Sequence, residues 1–435
     1  MSAASRVSLS SKRLLEQLTS VPSVEKYLTT TPFSARHIQR IQLGSTNFTY
    51  RLFLEPNAGY VPARTAILKY AAPFTADEPQ VSFNSERQIF EARAMTLLPW
   101  HTILTPPNYQ SEVPSPLNIP YVRIPKVYFA DQKNHVIVME DGTPRNGTDE
   151  FWEEVSHSAR IFFEEVPQSE NKYETARVIG RQLGTFLARL HLWGKDPQNS
   201  RLTVESFTGN TSAKDLTIKE TFTDFFKSLA ETGVSISNTL QEELSARLSS
   251  LKAKVTNNLE TLAMGDFWYF LVAHWNSHCL TSEYRLGNVL LSFTSGLVLE
   301  HIYIIDWEFV MLAPVFLDIG NFLGEVFLIH YFESNDWVYI HLLETFIESY
   351  LMVNGHIDVE DILGYAGAHI IMALLRRIKS PRSRANLRNA SPCVQHALSF
   401  LTGHGIKEVP GGKIGNLRAM LDIMRDRRQE MERDG

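Results

Sequence analysis

The spacing of apolar residues changes from mainly strand-like to largely helical near residue 140, and this change limits the folds that are available to the chain. Upstream, alternating apolar residues in "HIQRIQLGSTNFTYRLFLE" and "TAILKYAAP" predict three strands. The segment "PKVYFADQKNHVIVMED" predicts two more strands, joined by a turn at Gln132 to Asn134. "SERQIFEARAMTLL" has helical spacing. We therefore expect a five-stranded sheet with one inserted helix.

Downstream of residue 140 the spacing is largely helical. Apolar residues recur at i, i+3, i+4 and i+7 in segments such as "TARVIGRQLGTFLARLHLWG" and "VEDILGYAGAHIIMALLRRI". One β-hairpin is predicted within the helices, at "GNVLLSF" and "LEHIYIIDWEF". The pattern predicts an α+β fold of two lobes. We expect a helical lead-in over residues 1–36, an N-lobe over 37–139 and a helical C-lobe over 140–435.

Composition and charge exclude several classes of protein. The 435 residues are 44% hydrophobic and 21% charged, which is typical of a folded globular protein. The net charge of −6 provides no positive field for nucleic acid or an anionic membrane, and we expect neither as a partner. No apolar run approaches the roughly 20 residues of a membrane span. Two cysteines are too few for a disulfide framework, so we expect a cytoplasmic protein, and its oligomeric state is left open.

Two features of the strand-rich region fit the binding of nucleotide phosphates. The segment "LGSTNFTYRL" places Gly44, Ser45 and Asn47 between two strands, where small residues let backbone N–H groups approach a phosphate. A plain hairpin turn explains the same segment. Lys69 stands in the otherwise apolar run "AILKYA", where an unpaired ammonium would be costly, and Glu91 on the following helix is its expected partner. An edge-strand lysine that reaches solvent is the alternative.

Three polar residues of the C-lobe have the order of a kinase catalytic loop. Such loops place a carboxylate and an asparagine with four residues between them, and a metal-binding Asp follows on the next strand pair. Glu283 and Asn288 have this spacing, and Asp306 ends the next predicted strand. Carboxylate and amide oxygens, completed by water and ATP phosphates, suit Mg²⁺. The set predicts transfer of a phosphoryl group from ATP to a hydroxyl group, and the acidic character of a cytoplasmic chain suits a soluble small molecule as the acceptor.

The sequence resembles the aminoglycoside phosphotransferase and choline kinase family, which has a protein-kinase-like fold. Within that family it is most similar to the branch of methylthioribose kinase and fungal 4-hydroxytryptamine kinase, and this implies a role in fungal specialised metabolism. The likeness runs from about Gln42 to His369. The motifs that carry it are "LGSTNFTYRL", "AILKYAAP", "SERQIFEARAM", "IGRQLGTFLARLH", "GNVLL" and "IYIIDWEF…LDIGNFLGE".

The resemblance implies a role for each matching residue. Lys69 would hold the α- and β-phosphates and Glu91 would orient it. The segment "VIVMED", which contains Glu140, would be the hinge that meets adenine. The implied magnesium ligands are Asn288, Asp306 and Glu308.

One departure from the family pattern and one loose match to it bear on function. Family members usually read His-Gly-Asp-Leu-His-x-Gly-Asn, whereas this chain reads "TSEYRLGN", so Glu283 replaces the catalytic Asp. A nucleotide-binding scaffold with weak or no catalysis is therefore the alternative to an active kinase. Arg376 and Arg377 match loosely an arginine pair that contacts the substrate in methylthioribose kinases, although basic residues at a helix C-terminus also complement the helix dipole.

Two further polar residues are expected to be structural. His191 ends an apolar helix and is predicted to be a hydrogen-bonded core residue. Asp318, in "LDIGNF", is predicted to fix the loop and helix geometry behind the site.

Overall fold

The structure is a computed structural model that describes most of the chain. The described residues are 17–41, 46–55, 64–77, 79–104, 122–142, 166–267, 287–293, 298–332, 337–355, 357–379 and 385–403. They divide into two compact units, the first comprising Met1–Gln88 and Tyr128–Glu140 and the second Ile89–Val127 and Asp141–Gly435.

The first unit is built on a five-stranded sheet in the order β1-β2-β3-β6-β5. β1 pairs with β2, β2 with β3 and β3 with β6, in each case antiparallel. Apolar side chains of the sheet and of helix α1 form its core, in which Tyr50, Leu52, Leu68 and Val138 are fully buried. The strands are β1 (Ala35–Ile41), β2 (Phe48–Leu54), β3 (Thr65–Tyr70), β5 (Val127–Asp131) and β6 (Val136–Glu140), and α1 is Val21–Leu28. The predicted five-stranded sheet is confirmed.

The second unit is mainly helical, as predicted. Helix α2 begins with two residues that are assigned to the first unit and continues in the second. The helices are α2 (Arg87–Leu97), α3 (Trp100–Leu104), α4 (Glu170–Lys195), α5 (Pro197–Phe207), α6 (Thr211–Ile218), α7 (Phe225–Glu231), α8 (Asn238–Asn257), α9 (Phe316–Phe332), α10 (Val338–Asn354), α11 (Val359–Lys379) and α12 (Leu387–Thr402). Together with the sheet, they make the predicted α+β fold.

Helices α4 and α10 pack unusually closely, because α4 presents two glycines to its partner. A Cβ atom on Gly180 would lie 2.1 Å from the carbonyl oxygen of Leu342, and one on Gly184 would lie 2.1 Å from that of Phe346. Alanine at either position would therefore push the two helices apart. Helix α4 begins at a Ser169 cap, whose hydroxyl accepts a hydrogen bond from the backbone N–H of Lys172 at 3.3 Å.

Two small sheets lie in the second unit. The predicted hairpin is confirmed: β8 (Val289–Phe293) and β9 (Leu299–Ile304) are antiparallel, with Val289 opposite Ile304. The two-residue strand β4 (Val122–Arg123) extends this hairpin in parallel to β9. A second pair, β7 (Thr261–Ala263) and β10 (Met311–Ala313), was not predicted.

Within the described residues, no helix combines the length and the apolar character that a membrane span needs.

Candidate active site

Asp306 occupies a strained position two residues after the end of strand β9. Its backbone is in the left-handed region, with φ 65° and ψ 62°, and a 3₁₀ turn, Trp307–Phe309, follows it. The fully buried Trp307 fixes this turn, because its indole N–H donates a hydrogen bond to the carbonyl of Ile304 at 3.2 Å. Non-glycine residues in this conformation cluster at functional sites. The turn thus places Asp306 and Glu308 two residues apart at one end of the hairpin.

Three carboxylates of the second unit converge at this turn. Glu91 from helix α2, Asp306 and Glu308 each offer an oxygen within 4.8 Å of the other two. Glu91 and Glu308 are buried and Asp306 is half-buried. Like charges this close repel one another, and a divalent cation is the simplest group that offsets them. Carboxylate oxygens are the ligands that Mg²⁺ prefers, so these residues fit the metal expected from the sequence.

Asn288 lies beside this turn and is held there by the hairpin. The backbone N–H of Ile305 donates to the carbonyl of Asn288 at 2.9 Å, so the residue before Asp306 is bonded directly to Asn288. The side-chain nitrogen of Asn288 donates to the carbonyl oxygen of Asp266 at 2.8 Å and to its carboxylate at 3.0 Å. Because the amide nitrogen makes both bonds, the amide oxygen is the atom suited to ligate a cation.

Asp266 is the residue that the sequence reasoning missed. It is half-buried and lies 22 positions before Asn288 in the chain, so a search for an acidic residue five positions before Asn288 finds Glu283 instead. A signal was available in the dipeptide Gly265-Asp266, which matches the Gly-Asp of the family pattern. Gly265 has φ +84°, and a Cβ atom there would lie 2.2 Å from the carbonyl oxygen of Phe309. Only glycine fits this turn.

Asp318 fixes the backbone before Asp266, as predicted. Its carboxylate is fully buried and accepts hydrogen bonds from the backbone N–H groups of Met264 and Gly265, both at 2.8 Å. The same carboxylate lies 3.1 Å from Nε2 of His191, whose Nδ1 is 2.7 Å from the hydroxyl of Tyr350. Burial raises the pKa of Tyr350 well above its ordinary value, so the hydroxyl keeps its proton. The predicted role of His191 as a hydrogen-bonded core residue is confirmed.

In the first unit, Lys69 lies on a central strand. It is 6% exposed, and β3 has β2 on one side and β6 on the other, so the alternative of an edge-strand lysine is wrong. Asn47 is also buried, and its amide oxygen accepts a hydrogen bond from Arg87 at 3.1 Å. Glu140 ends β6 and is half-buried. Gly44, Ser45 and Glu283 lie outside the described residues.

The two adjacent arginines of helix α11 have different environments. Arg376 is exposed, whereas Arg377 is buried and donates a hydrogen bond to the carboxylate of Glu325 at 2.6 Å. The other oxygen of Glu325 lies 2.8 Å from Nε2 of His369. Burial alone would raise the pKa of Glu325, but Arg377 and His369 hold it below its ordinary value. A contact of either arginine with an acceptor stays a prediction.

Comparison with known proteins finds kinases. The chain is 25% identical over 339 residues to the 4-hydroxytryptamine kinase of Psilocybe cubensis, which covers 77% of this chain and 80% of that protein. It is 26% identical over 346 residues to the 4-hydroxytryptamine kinase of Psilocybe cyanescens, with the same coverage. The resemblance expected from the motifs is confirmed by these relatives, as is the expected class of small-molecule kinase. The alternative of a catalytically inactive scaffold is not favoured.

Solved structures also match the chain. The GDP complex of wild-type aminoglycoside 2'-phosphotransferase-IIIa matches with a TM-score of 0.42 and 13% identity, over 87% of this chain and 96% of that one. A choline kinase from Cryptosporidium parvum matches with a TM-score of 0.42 and 13% identity, over 89% and 93% of the two chains. No family model matches the chain.

Proposed function

We propose that this protein transfers the γ-phosphoryl group of ATP, with Mg²⁺, to a hydroxyl group of a small molecule. The observation that carries the proposal is the convergence of Glu91, Asp306 and Glu308 beside a hairpin whose first strand begins next to Asn288. Phosphoryl transfer depends mainly on positioning and on neutralising charge, and a cluster of hard oxygen ligands serves both purposes. Both curated relatives are named as kinases, a class of enzyme that takes its phosphoryl group from a nucleotide.

In this proposal Asp306 and Asn288 hold the metal ion, and Glu308 and Glu91 complete or orient its ligands. These residues would hold the cation, and the chemistry it would supply there is neutralisation of the negative charge that develops during phosphoryl transfer. Lys69 remains the candidate for neutralising the phosphates, and its burial on a central strand supports a specific rather than a solvent-facing role. Glu140 remains the candidate for the hinge, and Gly44, Ser45 and Asn47 for the loop that covers the phosphates.

We assign to Asp266 the task of orienting the acceptor hydroxyl and accepting its proton. Its carboxylate is bonded to the side chain of Asn288, so the acid and the candidate metal ligand are held in one arrangement. Asp318 anchors Met264 and Gly265, the two residues before Asp266. Glu283 has the loop spacing in the sequence and is the competing candidate, so the two carboxylates must be separated by experiment.

Point variants distinguish the two acids. Asp266→Asn keeps the shape of the side chain and removes its basicity, so kcat should fall by about 10² to 10⁴ with little change in ATP affinity. Glu283→Gln is the matched variant and should leave turnover unchanged. If Glu283→Gln lowers kcat in this range while Asp266→Asn does not, the roles are reversed. Glu283→Asp adds a check. A gain of activity from that change would indicate that the catalytic carboxylate belongs at position 283 and that Glu283 serves there less well than Asp.

A deletion makes the same comparison in a different way. Removing residues 269–285, which is 17 residues (285 − 269 + 1), leaves Asp266-Phe267-Trp268-Leu286-Gly287-Asn288. Four residues then separate Asp266 from Asn288, as in kinase catalytic loops. The shortened chain lacks Glu283 and should retain activity if Asp266 is the base. Loss of turnover in a shortened chain that still binds ATP and Mg²⁺ would instead favour Glu283.

The acceptor can be sought with a panel of hydroxylated metabolites. Since the curated relatives are named 4-hydroxytryptamine kinases, hydroxylated indole amines come first, followed by sugars, amino alcohols and aminoglycosides. ADP formation would be measured with each compound, and the phosphorylated product identified by mass spectrometry. ATP binding that depends on Mg²⁺, without ADP formation on any class, would count against catalysis.

A further inference from the structure

The segment from Ser206 to Asn210 consists of the last two residues of helix α5 and the link to helix α6. It contacts both parts of the chain that supply the carboxylate cluster. At one end, the guanidinium of Arg93 on helix α2 donates a hydrogen bond to the carbonyl of Ser206 at 3.1 Å. A Cβ atom on Gly209 would lie 3.5 Å from the ring of Phe90, so the segment also packs beside the residue that precedes Glu91. At the other end, Asn210 is bonded to the turn that carries Glu308.

The side chain of Asn210 forms hydrogen bonds with the turn and not with its own helix. It is the cap residue of helix α6, where an Asn side chain ordinarily accepts a hydrogen bond from the first turn of the helix, but it makes no such bond. Its amide nitrogen instead donates to the carbonyl oxygens of Glu308 and Val310, both at 2.9 Å. Its amide oxygen, the atom that would cap the helix, is buried without a hydrogen-bond partner in the described part of the chain. The side chain is thus oriented by its bonds to the turn, and helix α6 lacks the side-chain cap that Asn210 could provide.

Burial strengthens the argument that this contact matters. Asn210 is 2% exposed, so its two hydrogen bonds to the turn are shielded from water. The turn they hold includes Glu308, whose carboxylate must stay near those of Glu91 and Asp306 although all three repel one another. A fixed backbone is what keeps such a site assembled before a cation arrives.

We propose that Asn210 and Arg93 are positioning residues that hold Glu308 and Glu91 at metal-binding separation through the 206–210 segment. The inference rests on the proposed function only in that the cluster binds a divalent cation. Neither residue is proposed to touch the cation or ATP. Loosening either end should therefore weaken cation binding while the ligands themselves remain.

The test uses the full-length protein and Mn²⁺ as the probe, with binding followed by electron paramagnetic resonance with and without ATP. Asn210→Ala should raise the dissociation constant for Mn²⁺ by roughly tenfold, since two buried hydrogen bonds to the turn are lost. Arg93→Ala should act in the same direction and more weakly. Because each replacement leaves Glu91, Asp306 and Glu308 in place, affinity for ATP without metal should not change.

Matched controls separate positioning from general destabilisation. Asn199 also donates its amide to a backbone carbonyl, but this carbonyl is that of Trp193 on helix α4, at 2.9 Å. Arg201 pairs with Glu205 on the surface of α5. Asn199→Ala and Arg201→Ala should leave Mn²⁺ affinity unchanged. Asn210→Ser serves if Asn210→Ala does not fold, because Ser can cap the helix but lacks the amide.

Three outcomes decide the matter. Weaker Mn²⁺ binding in the Asn210 and Arg93 variants, with normal controls, supports the proposal. Unchanged Mn²⁺ binding in those variants overturns it and leaves the proposed function intact. If the unmodified protein binds no Mn²⁺ with or without ATP, the metal assignment itself fails, and the positioning proposal fails with it.

Discussion

Two groups of acids in the second unit differ in the contacts that characterise them. The carboxylate of Asp318 receives two backbone N–H groups, and that of Glu325 receives Arg377 and His369. These bonds make Asp318 and Glu325 part of the framework, because a buried charge that is satisfied in this way holds its neighbours in place. Glu91, Asp306 and Glu308 are marked instead by the closeness of their carboxylates to one another.

The difference shows how a structural acid can be told from a candidate metal ligand without a bound ion. Burial alone does not separate the two groups: Asp318 and Glu91 are each 0% exposed, although Asp306 is half-buried. What distinguishes Glu91 is the presence of two further carboxylates with oxygens within 4.8 Å. Like charges that are brought together lower stability, and such an arrangement persists where function requires it. Replacing single members of each group should therefore separate activity from stability.

The largest effect is expected at Asp306. Asp306→Asn should lower kcat by on the order of 10³-fold, because loss of a metal-binding carboxylate removes several kcal/mol of charge stabilisation from the transition state. It should not lower the free energy of unfolding, since one like charge leaves the cluster. Steady-state kinetics and urea unfolding measure the two quantities.

Asp318→Asn is the control for this prediction, and it should lower the free energy of unfolding because the bonds to Met264 and Gly265 weaken. Equal losses of stability in the two variants would remove the distinction between the groups.

The next effect concerns the ion pair of Arg377. Removing one partner of a buried pair leaves the other charge uncompensated, so Arg377→Ala should lower the free energy of unfolding by about 3 to 5 kcal/mol. Arg376→Ala, one residue away and exposed, should change it by no more than about 0.5 kcal/mol. Urea denaturation of both variants tests this. If Arg376→Ala raises KM for the acceptor without loss of stability, that arginine alone takes the substrate role predicted for the pair.

The smallest effect is a dependence of stability on pH. Burial lowers the pKa of His369, so the unfolded chain takes up a proton near pH 6.5 that the folded protein does not. The lowered pKa of Glu325 acts in the same direction at more acidic pH. The free energy of unfolding should decrease as pH falls from about 7.5 to about 5.5, and this decrease should be shallower in His369→Gln. Identical slopes for the two proteins would show that His369 does not contribute.

Local patterns in the sequence were sufficient for the sheet, the long helices and the β8–β9 hairpin. Period-two and period-3.6 spacing report which face of an element is buried, and that property is local. The prediction that Asp318 fixes the geometry of the nearby loop, which came from the motif "LDIGNF", is confirmed by its bonds to Met264 and Gly265. The pairing of β7 with β10 was not predicted, because three-residue strands give too short a pattern.

Asp266 and Asn210 were missed for a related physical reason. The contact between Asp266 and Asn288 joins residues 22 positions apart, and that between Asn210 and Glu308 joins residues 98 apart. No period or fixed spacing encodes such contacts, since they depend on where helices and strands pack. A rule based on spacing selected Glu283 instead, a residue outside the described part of the chain. The burial of Lys69 could not be predicted for the same reason, because it depends on the order of the strands, which places β3 in the centre of the sheet.

The left-handed backbone at Asp306 has a consequence for directed evolution. Glycine adopts φ 65° with no steric penalty, whereas other residues incur a penalty there, although that of Asp is smaller than most. A library of variants ranked only by heat resistance should therefore enrich Asp306→Gly, which relieves both the backbone and the crowding of negative charge. Such a screen would select inactive proteins, so any effort to make this enzyme more robust must score turnover in every round.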